Sequence, residues 1–437
     1  MIHHRLLTLP CRYISNFKLS KTVKDVQWSF ISLVTSSFAH LLLRIVLSKE
    51  LGPSSLGLYT LVFTVYMFGL QFAAFGVGPA LTKYIAEYQD DLSKIKEFVS
   101  SGIFGALISG SIMGALLYLL SSLISIEFFH SPIMVDFLKI TAVCFPFIAM
   151  QKVVIGTLNG LQRMKLYAIL NIAQNLSVML VTIFFVLWLK MNLMGAILGF
   201  VIPTILMGLL SLAFIRNIIP NPPKFVYSTI KEISYFGFYV VLANSIGMIN
   251  TQIDSLMIGH FMAESEVGYY AVAIIFMQGV ILLPQAIQSV TNPSISAYYR
   301  KREYEKIQKL IKNTMLKTFA AVICISIILA IFGKYFICII FTEEFLPAYT
   351  PMIILLIGYS ICAPIGSVGT TLSSVGKVEL LFKITTLAAL MNTLLNFILI
   401  PKYGINGAAV ATSISQIGIL AIHLSFIKKY VFDYILP

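Results

Sequence analysis

Apolar runs of about twenty residues follow one another through almost the whole chain. A run of that length crosses the ~30 Å hydrocarbon core of a bilayer as a helix. In lipid only a helix or a closed barrel satisfies its own backbone polar groups. Twelve such spans are expected, at about 27–47, 57–82, 100–125, 133–157, 166–189, 194–215, 234–260, 267–291, 314–340, 348–372, 378–400 and 407–427. Of the 437 residues 58% are hydrophobic and only 11% are charged, against roughly 25% charged in soluble domains. That balance excludes an ordinary soluble enzyme, a disordered chain and a disulfide scaffold. The expected fold class is an all-α polytopic membrane protein. Cys11, Cys144, Cys324, Cys338 and Cys362 are scattered through the chain with no CxxC spacing and read as small buried hydrophobes.

The net charge of +13 would suggest nucleic acid in a soluble chain. Placed against the spans, the charge has another origin. Twenty-four of the 31 Lys and Arg residues fall on one side of the expected membrane, and four (Lys49, Lys190, Lys334 and Lys402) on the other. Basic residues are retained on the cytoplasmic side. Both termini are therefore expected in the cytoplasm of a multi-pass cell-membrane protein, with no nucleic-acid partner required.

The chain also repeats itself. Leu56-Gly57-Leu58-Tyr59 matches Val267-Gly268-Tyr269-Tyr270 at an offset of 211 residues. Ser93-Lys94-Ile95-Lys96 matches Glu305-Lys306-Ile307-Gln308, Gly156-Thr157-Leu158 matches Thr370-Thr371-Leu372, and Gly195-Ala196-Ile197 matches Gly407-Ala408-Ala409, at offsets of 212, 214 and 212. Each repeat holds six spans, so both cross the membrane in the same sense. The expected organisation is a cytoplasmic tail (1–26), a six-helix bundle (27–218), a cytoplasmic linker rich in proline (219–233) and a second six-helix bundle with a short tail (234–437). Two pseudo-symmetric bundles flanking a shared site are the plan of an alternating-access transporter. Segments 84–98 and 297–312, with Ile95, Phe98, Ile307, Leu310 and Ile311 on one face, are expected to lie as interfacial helices on the membrane. Gly76-Val77-Gly78-Pro79, Pro146, Pro203, Pro284 and Pro364 are expected to bend or break their spans.

Ionisable groups inside spans are costly and mark cavities or pairs. Arg44 lies on a stripe with His40, Ser37 and Ser36 at helical spacing. In the seventh span Asp254 shares a face with Asn250, flanked by Gln252. With one residue inserted before the Gly-Leu-Tyr anchor, the repeat places Arg44 opposite Asp254, so the two are expected to face each other across the pseudo-twofold, as a substrate site or as a structural salt bridge. Lys152 joins the candidate transport residues, while Lys139, Lys383, Arg163 and Lys165 read as anchors or topology signals. His130, His260 and His423 stand alone with no second ligand at metal spacing and read as interfacial packing. No catalytic or metal-ligating set is expected.

Three stretches then carry a family resemblance: Leu51-Gly52-Pro53-Ser54-Ser55-Leu56-Gly57-Leu58-Tyr59, Pro79-Ala80-Leu81-Thr82-Lys83-Tyr84-Ile85-Ala86, and Ile253-Asp254-Ser255-Leu256-Met257-Ile258-Gly259-His260-Phe261 followed by Glu266-Val267-Gly268-Tyr269-Tyr270. The chain resembles the oligosaccharide and polysaccharide flippases of the multidrug/oligosaccharidyl-lipid/polysaccharide exporter superfamily. That resemblance implies movement of a lipid-linked glycan from the cytoplasmic to the outer leaflet, without enzymatic chemistry and without a cofactor. It leaves sodium or proton coupling open. Twelve spans set the chain apart from the peptidoglycan-precursor branch, whose members carry two more. Two bundles in one chain complete the pseudo-symmetric unit, so a monomer is expected. The alternatives are a cation-coupled multidrug exporter of the same superfamily and a membrane-embedded glycosyltransferase or polymerase. The last would need a carboxylate cluster in an extended outer loop, and the short loops offer only Glu127, Glu264, Glu266, Glu343 and Glu344.

Overall fold

The computed structural model describes residues 21–220, 222 and 225–432. Most of the expected tail (1–26), part of the proline-rich linker and the last five residues lie outside the described residues. Among those described, nine helices are long and apolar enough to cross a membrane. Counted as one span, the bent pair Met134–Ala142 and Phe145–Gly160, which meet at 45°, is a tenth candidate. Two of the nine are far too long for one pass. Lys24–Glu87 holds 64 residues, about 96 Å of helix at 1.5 Å per residue, and Val378–Tyr430 holds 53. Each is interrupted by a glycine with positive φ, Gly52 (φ 72°) and Gly404 (φ 59°). Divided there, the candidate spans among the described residues are compatible with twelve crossings, six in each half.

The backbone at these breaks follows from the residues. Gly52 takes the left-handed φ that a side chain would penalise, and Pro53 starts the next helix with its own φ preset. Asn192, which the repeat places opposite Gly404, also has positive φ (49°). Asparagine is among the few residues with a side chain that tolerate this conformation.

Thirteen α-helices are found among the described residues. The first half holds α1 (Lys21–Ala74), α2 (Val77–Glu87), α3 (Leu92–Ser122), α4 (Met134–Ala142), α5 (Phe145–Gly160), α6 (Met164–Ile183) and α7 (Asn192–Ser211). The second holds α8 (Tyr227–Phe261), α9 (Glu264–Arg300), α10 (Tyr304–Ile340), α11 (Tyr349–Gly366), α12 (Thr371–Ser374) and α13 (Val378–Ile427). The expected breaks appear at Phe75-Gly76, between α1 and α2, and just before Pro146, between α4 and α5. Pro203, Pro284 and Pro364 lie within continuous helices.

Segments 84–98 and 297–312 are not separate interfacial helices. The first ends α2 and opens α3. The second ends α9 and opens α10, which runs unbroken into its span. Ile95, Phe98, Ile307 and Ile311 are buried against protein, at 3% exposure or less. Their apolar stripe found helices to pack on, and amphipathicity alone does not distinguish that surface from lipid.

The two halves meet at both ends, but differently. At the Gly52 end the contact is nearly symmetric. Gly57 lies against the backbone of Glu264, and Gly268 against that of Pro53. Lys49 Nζ donates to the Ile339 carbonyl across the same seam (3.1 Å). At the end bearing both described termini, α8 packs on α2 and α3. Gly76 abuts Gly237, Tyr84 meets Phe236 (6.2 Å between rings), and Thr229 donates to Glu97. The equivalent seam between α1 and α9 is uncovered. Val26, which corresponds in the repeat to Gly237 as Gln288 does to Gly76, is 63% exposed, and Phe30, Leu33 and Val34 on α1 and Leu282 and Val290 on α9 are also exposed.

Candidate functional site

A cavity of about 740 Å³ lies within the first half and is closed on one side by α9 of the second. Its walls combine two chemistries. Phe38, Leu41, Phe63, Met67, Leu70, Ile148, Phe200 and Leu282 make it largely apolar. His40, Arg44, Gln151, Lys152, Asn171, Gln174, Asn175, Thr204 and Gln278 supply polar groups. Among the described residues no Asp or Glu lines it.

The polar wall is braced by its own hydrogen bonds. Gln151 Nε2 donates to Gln174 Oε1 (3.0 Å), and Gln174 Nε2 to Thr204 Oγ1 (3.3 Å). Thr204 Oγ1 itself donates to the Phe200 carbonyl (2.6 Å). Asn175 Nδ2 donates to Ser36 Oγ and to the Asn171 carbonyl, both at 2.8 Å. The α1 stripe is thereby tied to α6.

Arg44 and Lys152 stand apart from this network. Both are half-buried, and neither belongs to any ion pair found among the described residues. A guanidinium presents a planar fork of donors that matches phosphate or carboxylate oxygens, and an ammonium acts as a point charge. Two cations without an acidic partner among the described residues give this chamber a positive electrostatic character.

The expected facing of Arg44 and Asp254 does not occur. Asp254 is buried inside the second half, where its carboxylate accepts from Tyr270 Oη (2.7 Å), Thr412 Oγ1 (2.6 Å) and Asn396 Nδ2 (2.6 Å). Asn392 continues the cluster by donating to Thr412 Oγ1 (3.0 Å). No cationic side chain pairs with Asp254 among the described residues, and Asn396 Oδ1 is buried without a partner. The repeat sets which residues correspond, and helix rotation sets where they point. The rotation turns Asp254 into its own bundle. Asn250 likewise points away from the cavity, donating to the Thr385 carbonyl (3.0 Å). Gln252 accepts from Thr64 (3.3 Å) and so links the two halves.

Of the residues singled out in the sequence, His40, Arg44 and Lys152 are brought together, and Asn250, Gln252 and Asp254 are not. Lys139 lies over the Tyr118 ring (5.7 Å), and Lys383 pairs with Glu379 (2.7 Å). Sequence reasoning missed Gln151, Gln174, Asn175 and Thr204 on the cavity wall, and Tyr270, Asn392, Asn396 and Thr412 around Asp254. Asn392 and Asn396 carried a usable signal, two amides one helical turn apart in an otherwise apolar run.

The family described as polysaccharide biosynthesis protein has a model that matches residues 22–299, and the MatE model matches residues 240–398. The chain belongs to the polysaccharide biosynthesis protein family. It is 22% identical to a putative O-antigen transporter of Shigella flexneri, over 85% of this chain and 89% of that one. This family member also shares its fold with the lipid II flippase MurJ in an inward closed conformation (TM-score 0.76, 20% identity, 92% of this chain and 87% of that chain). An inward-facing multidrug resistance transporter of the MATE family is similar too (TM-score 0.74, 15% identity, 91% and 95%).

Proposed function

We propose that this polysaccharide biosynthesis family member is a flippase that carries a lipid-linked glycan precursor from the cytoplasmic to the outer leaflet by alternating access. The observation that carries this reading is the pair Arg44 and Lys152, uncompensated in a cavity with no acidic residue. A lipid-linked sugar joins its glycan to its lipid through phosphate, and two cations without a counter-ion suit that group. The uncovered seam between α1 and α9 suits the other part of such a substrate. The headgroup enters the cavity past Phe38, Leu41 and Leu282 while the tail stays in the bilayer. The amide-rich wall of Gln151, Gln174, Asn171 and Asn175 offers donors and acceptors to sugar hydroxyls.

In this reading, which the charge asymmetry of the sequence supports, the described termini and the uncovered seam lie on the cytoplasmic side of the cell membrane. The Gly52 end then faces outward and is closed. Asp254 supplies a coupling site for a sodium ion or a proton. Among the described residues no cationic side chain pairs with its carboxylate, and none donates to the Asn396 carbonyl oxygen beside it.

A multidrug exporter for cationic compounds is the runner-up, supported by the MatE match over 240–398. Its substrates would meet Arg44 and Lys152 with like charge. The two readings separate in proteoliposomes. A fluorescent lipid-linked oligosaccharide, reported by an impermeant quencher, is expected to cross saturably. Gradient-driven efflux of a cationic dye without any crossing of the lipid-linked sugar would overturn the flippase reading.

A further inference from the structure

His130 and His260 lie 130 residues apart in sequence, yet their rings come within 5.8 Å at the Gly52 end. The expectation that each stands alone is therefore corrected. They belong to opposite halves. His130 follows α3, and His260 is the penultimate residue of α8. His260 is already oriented. Its Nδ1 lies 2.6 Å from the Phe128 carbonyl oxygen, and the Phe128 ring stacks on it at 4.5 Å. A carbonyl only accepts, so Nδ1 carries the proton and donates. The Nε2 lone pair of the neutral imidazole is left free. This is the arrangement that fixes tautomer and direction in a metal-ligating histidine. His130 is exposed, no hydrogen bond occupies its ring nitrogens, and its backbone is held at positive φ (54°), unusual for a residue with a side chain.

We infer that His130 and His260 form a binding site for a divalent transition-metal ion such as zinc, bridging the two halves of the transporter. At Zn–N distances of 2.0–2.1 Å, two imidazoles on one ion put their ring centres roughly 5–6 Å apart, the separation found here. No group of three or more His, Cys, Asp and Glu side chains among the described residues is arranged to hold a metal. Water therefore completes the coordination shell, and the ion exchanges with solvent. One histidine comes from each half, so the bound ion favours the conformation in which the Gly52 end is closed. Zinc then acts as a latch on that end.

Binding is tested with zinc chloride alone on the full-length protein in detergent, by thermal unfolding. Zinc is expected to raise the midpoint of the wild type. His130→Ala and His260→Ala are each expected to unfold as the wild type does without zinc and to need at least about ten-fold more zinc for the same rise. That factor corresponds to about 1.4 kcal/mol. His130→Asn, which tolerates the positive φ, provides a second variant with the same expected loss. A zinc response unchanged in either the His130 or the His260 variants would overturn the site. The latch rests on the flippase reading and has its own measurement. Zinc should inhibit crossing of a lipid-linked oligosaccharide in the wild type, and His130→Asn should remove that inhibition. Binding without inhibition would overturn the latch and leave the metal site standing, while absence of crossing at zero zinc would count against the flippase reading.

Discussion

Gly57 and Gly268 hold the same place in the two repeats, and each packs against the helix start of the other. A Cβ on Gly57 would overlap the carbonyl oxygen of Glu264, and one on Gly268 would overlap that of Pro53. Glu264 and Pro53 are themselves 211 residues apart, the offset of the glycines. The contact is therefore self-complementary, as in a twofold dimer, but made within one chain. It closes the Gly52 end with backbone against backbone.

Gly57→Ala and Gly268→Ala should each weaken that closure. Inserting a methyl group into a close-packed contact costs about 1–3 kcal/mol. Thermal unfolding of purified variants is expected to show a lowered midpoint for both. Gly105→Ala, where nothing lies within 4 Å of the added carbon, should behave as the wild type. Equal midpoints in all four proteins would remove the case for a tight seam.

Gly279 gives a prediction of opposite character. It lines the cavity from α9, and nothing lies within 4 Å of a Cβ built on it. Gly279→Phe should therefore fold, reach the membrane in normal amount, and fill the space that the substrate needs. Transport at less than about a tenth of the wild-type rate, with unchanged expression, is the expected result. A fully active variant would mean that the cavity is not the route.

Asp254 bears on the driving force. Asn in its place keeps the shape and can still accept from Asn396. The hydroxyls of Tyr270 and Thr412 are free to rotate and accept in turn. Asp254→Asn should thus fold while losing its response to a coupling cation. If sodium couples, sodium chloride should raise the wild-type unfolding midpoint relative to choline chloride, and the variant should not respond. If protons couple, an imposed pH gradient should accelerate wild-type transport alone. A variant that keeps both responses would place coupling elsewhere. Asp254→Leu is expected to be destabilised by more than about 2 kcal/mol, since buried hydroxyl and amide partners would be left unpaired.

The all-helical, many-span membrane fold was legible because it lies in local pattern, the length of the apolar runs. The cavity was legible in part for the same reason. Ser37, His40 and Arg44 share a helix face, and a polar stripe in an apolar span has few other uses. The Arg44–Asp254 pairing failed because sequence correspondence carries no information about helix rotation. Ile95, Phe98, Ile307 and Ile311 were assigned to the membrane surface because an apolar stripe reads the same against lipid as against a neighbouring helix. His130 and His260 carried no joint signal, because only the closure of the two halves makes them neighbours.

The central claim is that Arg44 and Lys152 receive the phosphate of a lipid-linked glycan. Its most direct test is the rate at which a fluorescent lipid-linked oligosaccharide crosses proteoliposomes containing wild type, Arg44→Ala, Arg44→Lys or Lys152→Ala. Losing one partner of a buried, charge-assisted contact costs about 2–5 kcal/mol. Each alanine variant is therefore expected to lose at least about 30-fold in apparent affinity. Arg44→Lys should fall between, with its charge kept and its fork lost. Crossing at the wild-type rate and concentration dependence in both alanine variants, with all proteins folded and inserted, would contradict the account.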